Sequence, residues 1–229
     1  ILPDMDDGVE TAKEAAQILS ALYKNGFTDV VLSSHYYSNR EDMKEYVSRR
    51  ASCFARLNAE LEGRTVPRLH LGAEVYLTSL LFNNTDLSPL TLNGKGTYML
   101  TELPYDQKLA ATTAANLERL VYVRGITPVL AHIERYPYLL DRKELLPLLE
   151  MGCKVQINFR AFTVLAYKRK LKKLVKYGLI DALGTDVHSA NGFEQEIALC
   201  VSAVKEDFGA EFLRGISNYS KERFIYAKA

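Results

Sequence analysis

The chain has 229 residues, 48% hydrophobic and 25% charged, with a formal net charge of +1. That is enough for one barrel-sized domain with a substantial core, and it points to neither nucleic acid nor an anionic membrane as a partner. No apolar run approaches the ~20 residues needed to span a bilayer and no signal-peptide pattern opens the sequence, so a cytoplasmic protein without direct membrane insertion is expected.

The sequence opens on apolar Ile1-Leu2-Pro3 and an acidic stretch, Asp4-Met5-Asp6-Asp7-Gly8. An amphipathic helix is predicted over 10–24, stopped by Asn25-Gly26. A strand over 28–32 then runs into Ser33-Ser34-His35. A second helix is predicted over 40–61, and the strand over 68–73 runs into Glu74. The stretch 77–96 reads as loop with a short hairpin, given Asn83-Asn84, Ser88-Pro89 and Asn93-Gly94. A strand over 97–101 ends at Glu102 and precedes a helix over 107–123. The strand over 127–131 ends at His132-Ile133-Glu134-Arg135 and precedes a helix over 141–151. A strand over 154–157, a helix over 164–177, a strand over 180–184 ending at Thr185-Asp186-Val187-His188, and a helix over 193–207 complete the pattern.

Six strands, five of them followed by a helix, imply a parallel sheet. Every helix but the first follows a strand, so a first strand is expected to precede Ile1. Seven strands would make a small barrel, forming a single domain over 1–229. His35, Glu74, Glu102, His132, Asp186 and His188 then gather at the C-terminal ends of the strands, the edge where α/β barrels assemble their sites, and the acidic opening supplies more carboxylates. Mixed carboxylates and imidazoles suit hard or borderline divalent cations.

Two other phosphate chemistries are excluded by spacing. A thiol phosphatase needs a low-pKa cysteine followed five residues later by an arginine. Cys53 is followed by Arg56, Cys153 by Arg160, and Cys200 by nothing nearer than Arg214. These three scattered cysteines suggest neither a disulfide framework nor a thiolate zinc site. A Gly-x-x-x-x-Gly-Lys-Ser/Thr string does not occur.

The acidic-Gly opening, Ser34-His35, Gly72-Ala73-Glu74, Thr101-Glu102-Leu103-Pro104, Ala131-His132-Ile133-Glu134-Arg135-Tyr136-Pro137 and Thr185-Asp186-Val187-His188 resemble the PHP (polymerase and histidinol phosphatase) superfamily. Within it, the chain is similar to the capsule-type branch, the manganese-dependent protein tyrosine phosphatases of bacterial exopolysaccharide operons. The resemblance covers essentially the whole chain. It implies a distorted (β/α)7 TIM-like barrel with three metal ions, manganese first and iron or zinc as alternatives. Carried over by position, Asp7, His35 and His188 serve one metal, and Glu74 bridges the other two. Glu102 and His132 complete the second, and Asp186 helps hold the third. Arg135 binds the substrate phosphate, and His188 is a candidate proton donor.

The sequence departs from that pattern twice. A His-x-His pair expected immediately before Ile-Leu-Pro lies outside it, and Phe193 stands where relatives often carry arginine. The resemblance implies hydrolysis of phosphotyrosine by a metal-activated hydroxide, with the tyrosine-rich tail of a capsule-type kinase as substrate and a homo-oligomer as the assembly. The same centre suits a small phosphate ester such as histidinol phosphate. Genuine absence of the His-x-His pair would favour a non-catalytic PHP module.

Arg135 fits a phosphate role, because guanidinium offers a bidentate fork at every relevant pH; its alternative is a surface ion pair with Glu134. Tyr36, Tyr37, Tyr105, Tyr136 and Tyr138 lie near the expected site loops and are candidate walls for an aromatic ring. The lysine-rich stretch 167–176 reads as an amphipathic helix with a solvated cationic face, or as an attractor for an anionic tail. Arg49, Arg50 and Arg56 on the second helix are candidates for an oligomer contact.

Overall fold

A computed structural model describes residues 1–226; the last three positions of the domain expected over 1–229 lie outside the described residues. Eight β-segments occur: β1 Asp29–Leu32, β2 His35–Tyr36, β3 Arg68–Leu71, β4 Glu74–Tyr76, β5 Tyr98–Glu102, β6 Thr127–Leu130, β7 Lys154–Asn158 and β8 Ala182–Gly184. Six helices accompany them: α1 Ala12–Lys24, α2 Met43–Glu60, α3 Ala111–Glu118, α4 Arg142–Met151, α5 Leu165–Lys176 and α6 Phe193–Ser220.

All strand pairs are parallel. β1 with β2, and β3 with β4, are each one strand interrupted in the middle. The register Asp29↔Arg68 carries through to His35↔Glu74. Across the break, the Gly72 and Glu74 amides donate to the Leu32 and Ser34 carbonyls at 3.0 Å. Gly72 sits where a Cβ would press on Val31 and Leu92 side chains at 3.0 Å, so the crowding there selects glycine. The remaining neighbours follow chain order, β4-β5-β6-β7-β8.

β2 and β8 stand at opposite ends of that series, yet the rings of His35 and His188 lie 6.2 Å apart. The sheet therefore curls on itself as a parallel half-barrel of six strands. Among the described residues β1 pairs only with β3 and β8 only with β7, and a cavity of about 320 Å³ follows the seam between them.

Local chemistry explains the element ends that position the site. Thr11 caps α1 by accepting from the Glu14 amide at 3.2 Å, while Glu14 accepts from the Thr11 amide at 3.1 Å, a reciprocal box that fixes where the acidic loop ends. Ala15, Ile18, Leu19 and Leu22 then bury one stripe of α1.

On α2, Arg50 is buried and donates to the Gly72 and Pro89 carbonyls, both at 2.8 Å. Arg49 donates to the Met5 carbonyl at 2.5 Å and Arg56 to that of Pro3 at 3.3 Å. These three arginines are engaged within the chain, and two of them hold the acidic opening in place.

The expected hairpin in 77–96 is instead three 3-10 turns, Ser79–Asn83, Ser88–Leu90 and Leu92–Gly94; the paired Asn, Pro and Gly residues make successive turns with no strand partner between them. The helix expected over 107–123 begins at Ala111 and ends in a π-turn, Arg119–Val123. The helix expected to stop at 207 runs on to Ser220 because Gly209, at φ 86°, kinks the chain and the helix resumes. Its second half and the following π-turn, Lys221–Tyr226, bury Ile216, Phe224 and Ile225.

That C-terminal segment meets the N-terminal ends of β1 and β3. The Asp29 side chain, only 4% exposed, accepts from Arg68 at 3.0 Å and Tyr226 at 2.5 Å, and lies 3.1 Å from the His70 ring.

Candidate metal centre

The seven expected ligands converge at the C-terminal ends of the strands. His35 opens β2, Glu74 opens β4, Glu102 closes β5, and His132, Asp186 and His188 follow β6 and β8. Asp7 comes from the acidic loop, where the Asp6 carboxylate accepts from the Gly8 amide at 3.1 Å and from the His35 amide at 2.9 Å. Asp6 thus ties that loop to β2, leaving Asp7 free to face the site.

Two groups of side chains present ligand atoms all within 4.8 Å of one another: Asp7, His35 and His188; and His35, Glu74 and Glu102. In the first, Asp7 Oδ1 lies 3.5 Å from His188 Nε2 and 3.9 Å from His35 Nε2. In the second, the other nitrogen of His35 lies 4.0 Å from Glu102 Oε2. His132 Nε2 joins it at 2.8 Å from Glu74 and 3.6 Å from Glu102. Burial opposes a charge on His132, but the hydrogen bond and negative charge of Glu74, with the charge of Asp186, together raise the imidazole pKa above its ordinary value.

The residues fit a divalent cation. His35 Nδ1 and His132 Nδ1 are buried without a hydrogen-bond partner, a costly arrangement that an ordinary core avoids. Four carboxylates, from Asp7, Glu74, Glu102 and Asp186, share the mouth with the guanidinium of Arg135. Such crowding of like charge is repulsive until cations enter.

Asp186 is placed differently from the others. It pairs with Arg135 Nη2 and accepts from Asn158 Nδ2 at 3.2 Å. Both Asp186, φ 52°, and His132, φ 34°, adopt left-handed backbone conformations. Non-glycine residues rarely do so, and such strain gathers at functional sites.

A buried polar chain supports both loops. The His132 amide donates to Gln156 Oε1, the Gln156 amide nitrogen donates to Asn158 Oδ1 at 2.8 Å, and Asn158 reaches Asp186. Gln156 and Asn158 alternate on one face of β7, with apolar Val155 and Ile157 on the other. A Cβ at Gly184, on neighbouring β8, would overlap the Gln156 amide nitrogen and come within 3.0 Å of its Cδ.

Glu134 is buried and accepts from the Asn158 amide at 3.3 Å, pointing away from Arg135; burial pushes its carboxyl up to about 7. The Glu134–Arg135 ion pair considered from sequence does not form. Arg135 instead spans the mouth, its second nitrogen donating to the Tyr105 hydroxyl at 3.1 Å.

A family model for capsular polysaccharide synthesis, CpsB/CapC, matches residues 1–226. The chain belongs to the CpsB/CapC family. The tyrosine-protein phosphatase CpsB of Streptococcus agalactiae is 26% identical, aligned over 98% of this chain and 97% of that protein. The tyrosine-protein phosphatase YwqE of Bacillus subtilis is 26% identical over 92% of this chain and 84% of its own length. A solved structure from the work on YwqE and CpsB of Streptococcus pneumoniae, described as unique metal-dependent tyrosine phosphatases, superposes with a TM-score of 0.78. It has 21% identity and covers all of this chain and 92% of its own.

Against this CpsB/CapC frame, Phe193 is buried at the start of α6 and contributes to the core. Of the lysine-rich helix α5, Lys168 and Lys172 pair with Asp207 of α6 at 3.0 and 3.3 Å, and Lys170 donates to the Pro137 carbonyl. Much of the cationic face is thereby answered within the chain. The cysteines are all buried, with burial pushing the Cys153 thiol up to about 12. No helix among the described residues is long and apolar enough to cross a membrane.

Gln156 and Asn158 were missed as site residues from sequence. Their signal was available, since polar residues alternating in an otherwise apolar strand must find partners inside the barrel.

Proposed function

We propose that this chain is a metal-dependent phosphoric monoester hydrolase acting on phosphotyrosine in proteins, as the names of its relatives describe for them. The observation that carries the reading is the pair of ligand groups sharing His35, with the Arg135 fork laid across their mouth. In this reading Asp7, His35, Glu74, Glu102, His132, Asp186 and His188 hold up to three divalent ions, manganese first.

Such ions supply Lewis-acid polarisation of phosphate oxygens and acidify water toward neutrality. Arg135 would bind and orient the phosphate through its guanidinium fork, and Asp186 would be among the residues that hold a cation. Glu134 and Asn158 brace the loops; His188, a candidate proton donor from sequence, has Nδ1 on the Asp186 carbonyl at 2.9 Å and Nε2 turned to Asp7, so its geometry suits a ligand and not an acid. A phenol leaves with a pKa near ~10, so it needs less acid assistance than an alkyl alcohol.

The finer architecture belongs to the same proposal: a distorted (β/α)7 barrel forming one unit over 1–229, with a seventh strand in the seam where β1 and β8 show outer edges unpaired among the described residues. Family membership in capsular polysaccharide synthesis supports a capsule-type kinase tail as the protein substrate, and a cytoplasmic homo-oligomer as the working form. The test is turnover by manganese-loaded full-length protein of a phosphotyrosine peptide and of histidinol phosphate, with His35→Ala as control. Hydrolysis of the peptide in preference is expected; hydrolysis of histidinol phosphate alone would refute the substrate assignment.

A further inference from the structure

The five tyrosines grouped by sequence separate sharply in space. Tyr36 and Tyr136 are each 1% exposed, so neither can meet a substrate. Tyr37 is covered by His35 and Tyr76, with the Arg40 guanidinium 4.4 Å from its ring centre. Tyr105 is 56% exposed and stands on the rim beside Arg135.

Its ring is held in a layered stack. It lies 19° from parallel to Tyr136 at 5.3 Å and 4° from parallel to His132 at 6.5 Å. Its hydroxyl donates to Glu102 Oε1 at 3.0 Å while accepting from Arg135. The backbone before it is fixed as well, because the Tyr136 hydroxyl accepts from the Leu103 amide at 3.0 Å and donates to the Leu103 carbonyl at 2.7 Å. Tyr136 and His132 thus set the plane of the Tyr105 ring, while more than half of the residue's surface stays open to solvent.

We propose that Tyr105 is the specificity-determining residue that recognises an aromatic leaving group, by stacking the substrate ring on its open face while its hydroxyl sets the Arg135 fork. Two roles in one side chain follow from the geometry. A phosphate held by Arg135 is within one guanidinium of the Tyr105 hydroxyl, so the group esterified to it emerges next to the ring. A planar phenyl group gains a stacking contact there; a short alkyl group reaches too little of it.

The inference rests on the phosphatase reading above, and its test is chosen to be separable from that reading. Dissociation constants of phenylphosphonate and methylphosphonate, which carry the same anionic head and are not hydrolysed, would be measured by calorimetry on manganese-loaded full-length protein. Phenyl phosphate turnover would be measured alongside. Wild type is expected to favour the phenyl ligand, and Tyr105→Ala to lose that preference by roughly threefold to tenfold. Tyr105→Phe is expected to keep the preference while weakening both ligands together, since it retains the ring and releases Arg135.

An unchanged phenyl-to-methyl ratio in Tyr105→Ala, or no preference in wild type, overturns the proposal. Binding of phosphonates without any turnover of phenyl phosphate overturns the phosphatase reading instead, and the ratio still decides the role of Tyr105. Metal content equal to wild type in both variants shows that the effect is local.

Discussion

Gly184→Ala isolates the polar chain behind the metal centre, because the added methyl lands on the Gln156 amide nitrogen and within 3.2 Å of Asn158 Oδ1. Gln156 cannot simply swing aside, since its oxygen receives the buried His132 amide and its nitrogen donates to Asn158. Displacement leaves the His132 N–H unsatisfied, at about 1–3 kcal/mol, and breaks a side-chain hydrogen bond of about 1 kcal/mol. The expected loss is therefore roughly 2–4 kcal/mol, or a drop in melting temperature of about 5–12 °C for a chain of this size.

Urea unfolding of metal-free protein, followed by circular dichroism, measures this without the contribution of bound ions. The double variant with Gln156→Ala completes the test, because the methyl then has nothing to displace. The two substitutions should be strongly non-additive, with a coupling of about 1–3 kcal/mol. A Gly184→Ala protein within about 0.5 kcal/mol of wild type, or full additivity of the pair, would refute the reasoning.

Further outcomes are expected. His35→Ala removes the residue common to both ligand groups, so bound manganese measured by elemental analysis should fall and turnover drop at least ~100-fold; His70→Ala, at the opposite end of the barrel beside Asp29, should leave metal content unchanged. Arg135→Lys keeps the charge but loses the fork, and kcat/KM for a phosphotyrosine peptide should remain at least ~10-fold below wild type. Burial works against the charge on Asp29, but hydrogen bonds from Arg68, Tyr226, His70 and Thr28 prevail and hold its carboxyl below the usual range. Its contribution to stability is therefore complete above pH ~4 and is lost as pH falls further. Asp29→Asn should flatten that acid limb of a urea-midpoint profile while lowering stability at neutral pH. Chelation should abolish turnover, and adding manganese back should raise the melting temperature in proportion to ln[Mn] once the ion is well above its Kd.

Six of the expected ligands stand out in the sequence because each lies at or shortly beyond the end of a short apolar strand, whereas Asp7 enters only through the family resemblance. His35, Glu74, Glu102 and His132 are all found within or just after such strands. Parallel strands place those ends together whatever the loops do, so periodicity predicts that these residues share one edge of the sheet. Local punctuation was less reliable. The helix expected over 193–207 passes Gly209, because the buried face around Ile216 and Phe224 offsets one kink and the helix continues.

The order of strands and helices and the chemical character of the mouth follow from near-neighbour patterns along the chain. Which way each polar side chain points follows from the packed fold instead. Glu134 turns inward while Arg135, the next residue, turns across the mouth to Asp186 and Tyr105. Arg49, Arg50 and Arg56, candidates from sequence for an oligomer contact, each donate to a carbonyl within the chain. The physical reason is the same in each case: a hydrogen bond between residues tens of positions apart is set by strand register and burial, and neither is encoded in the identity of one residue's neighbours.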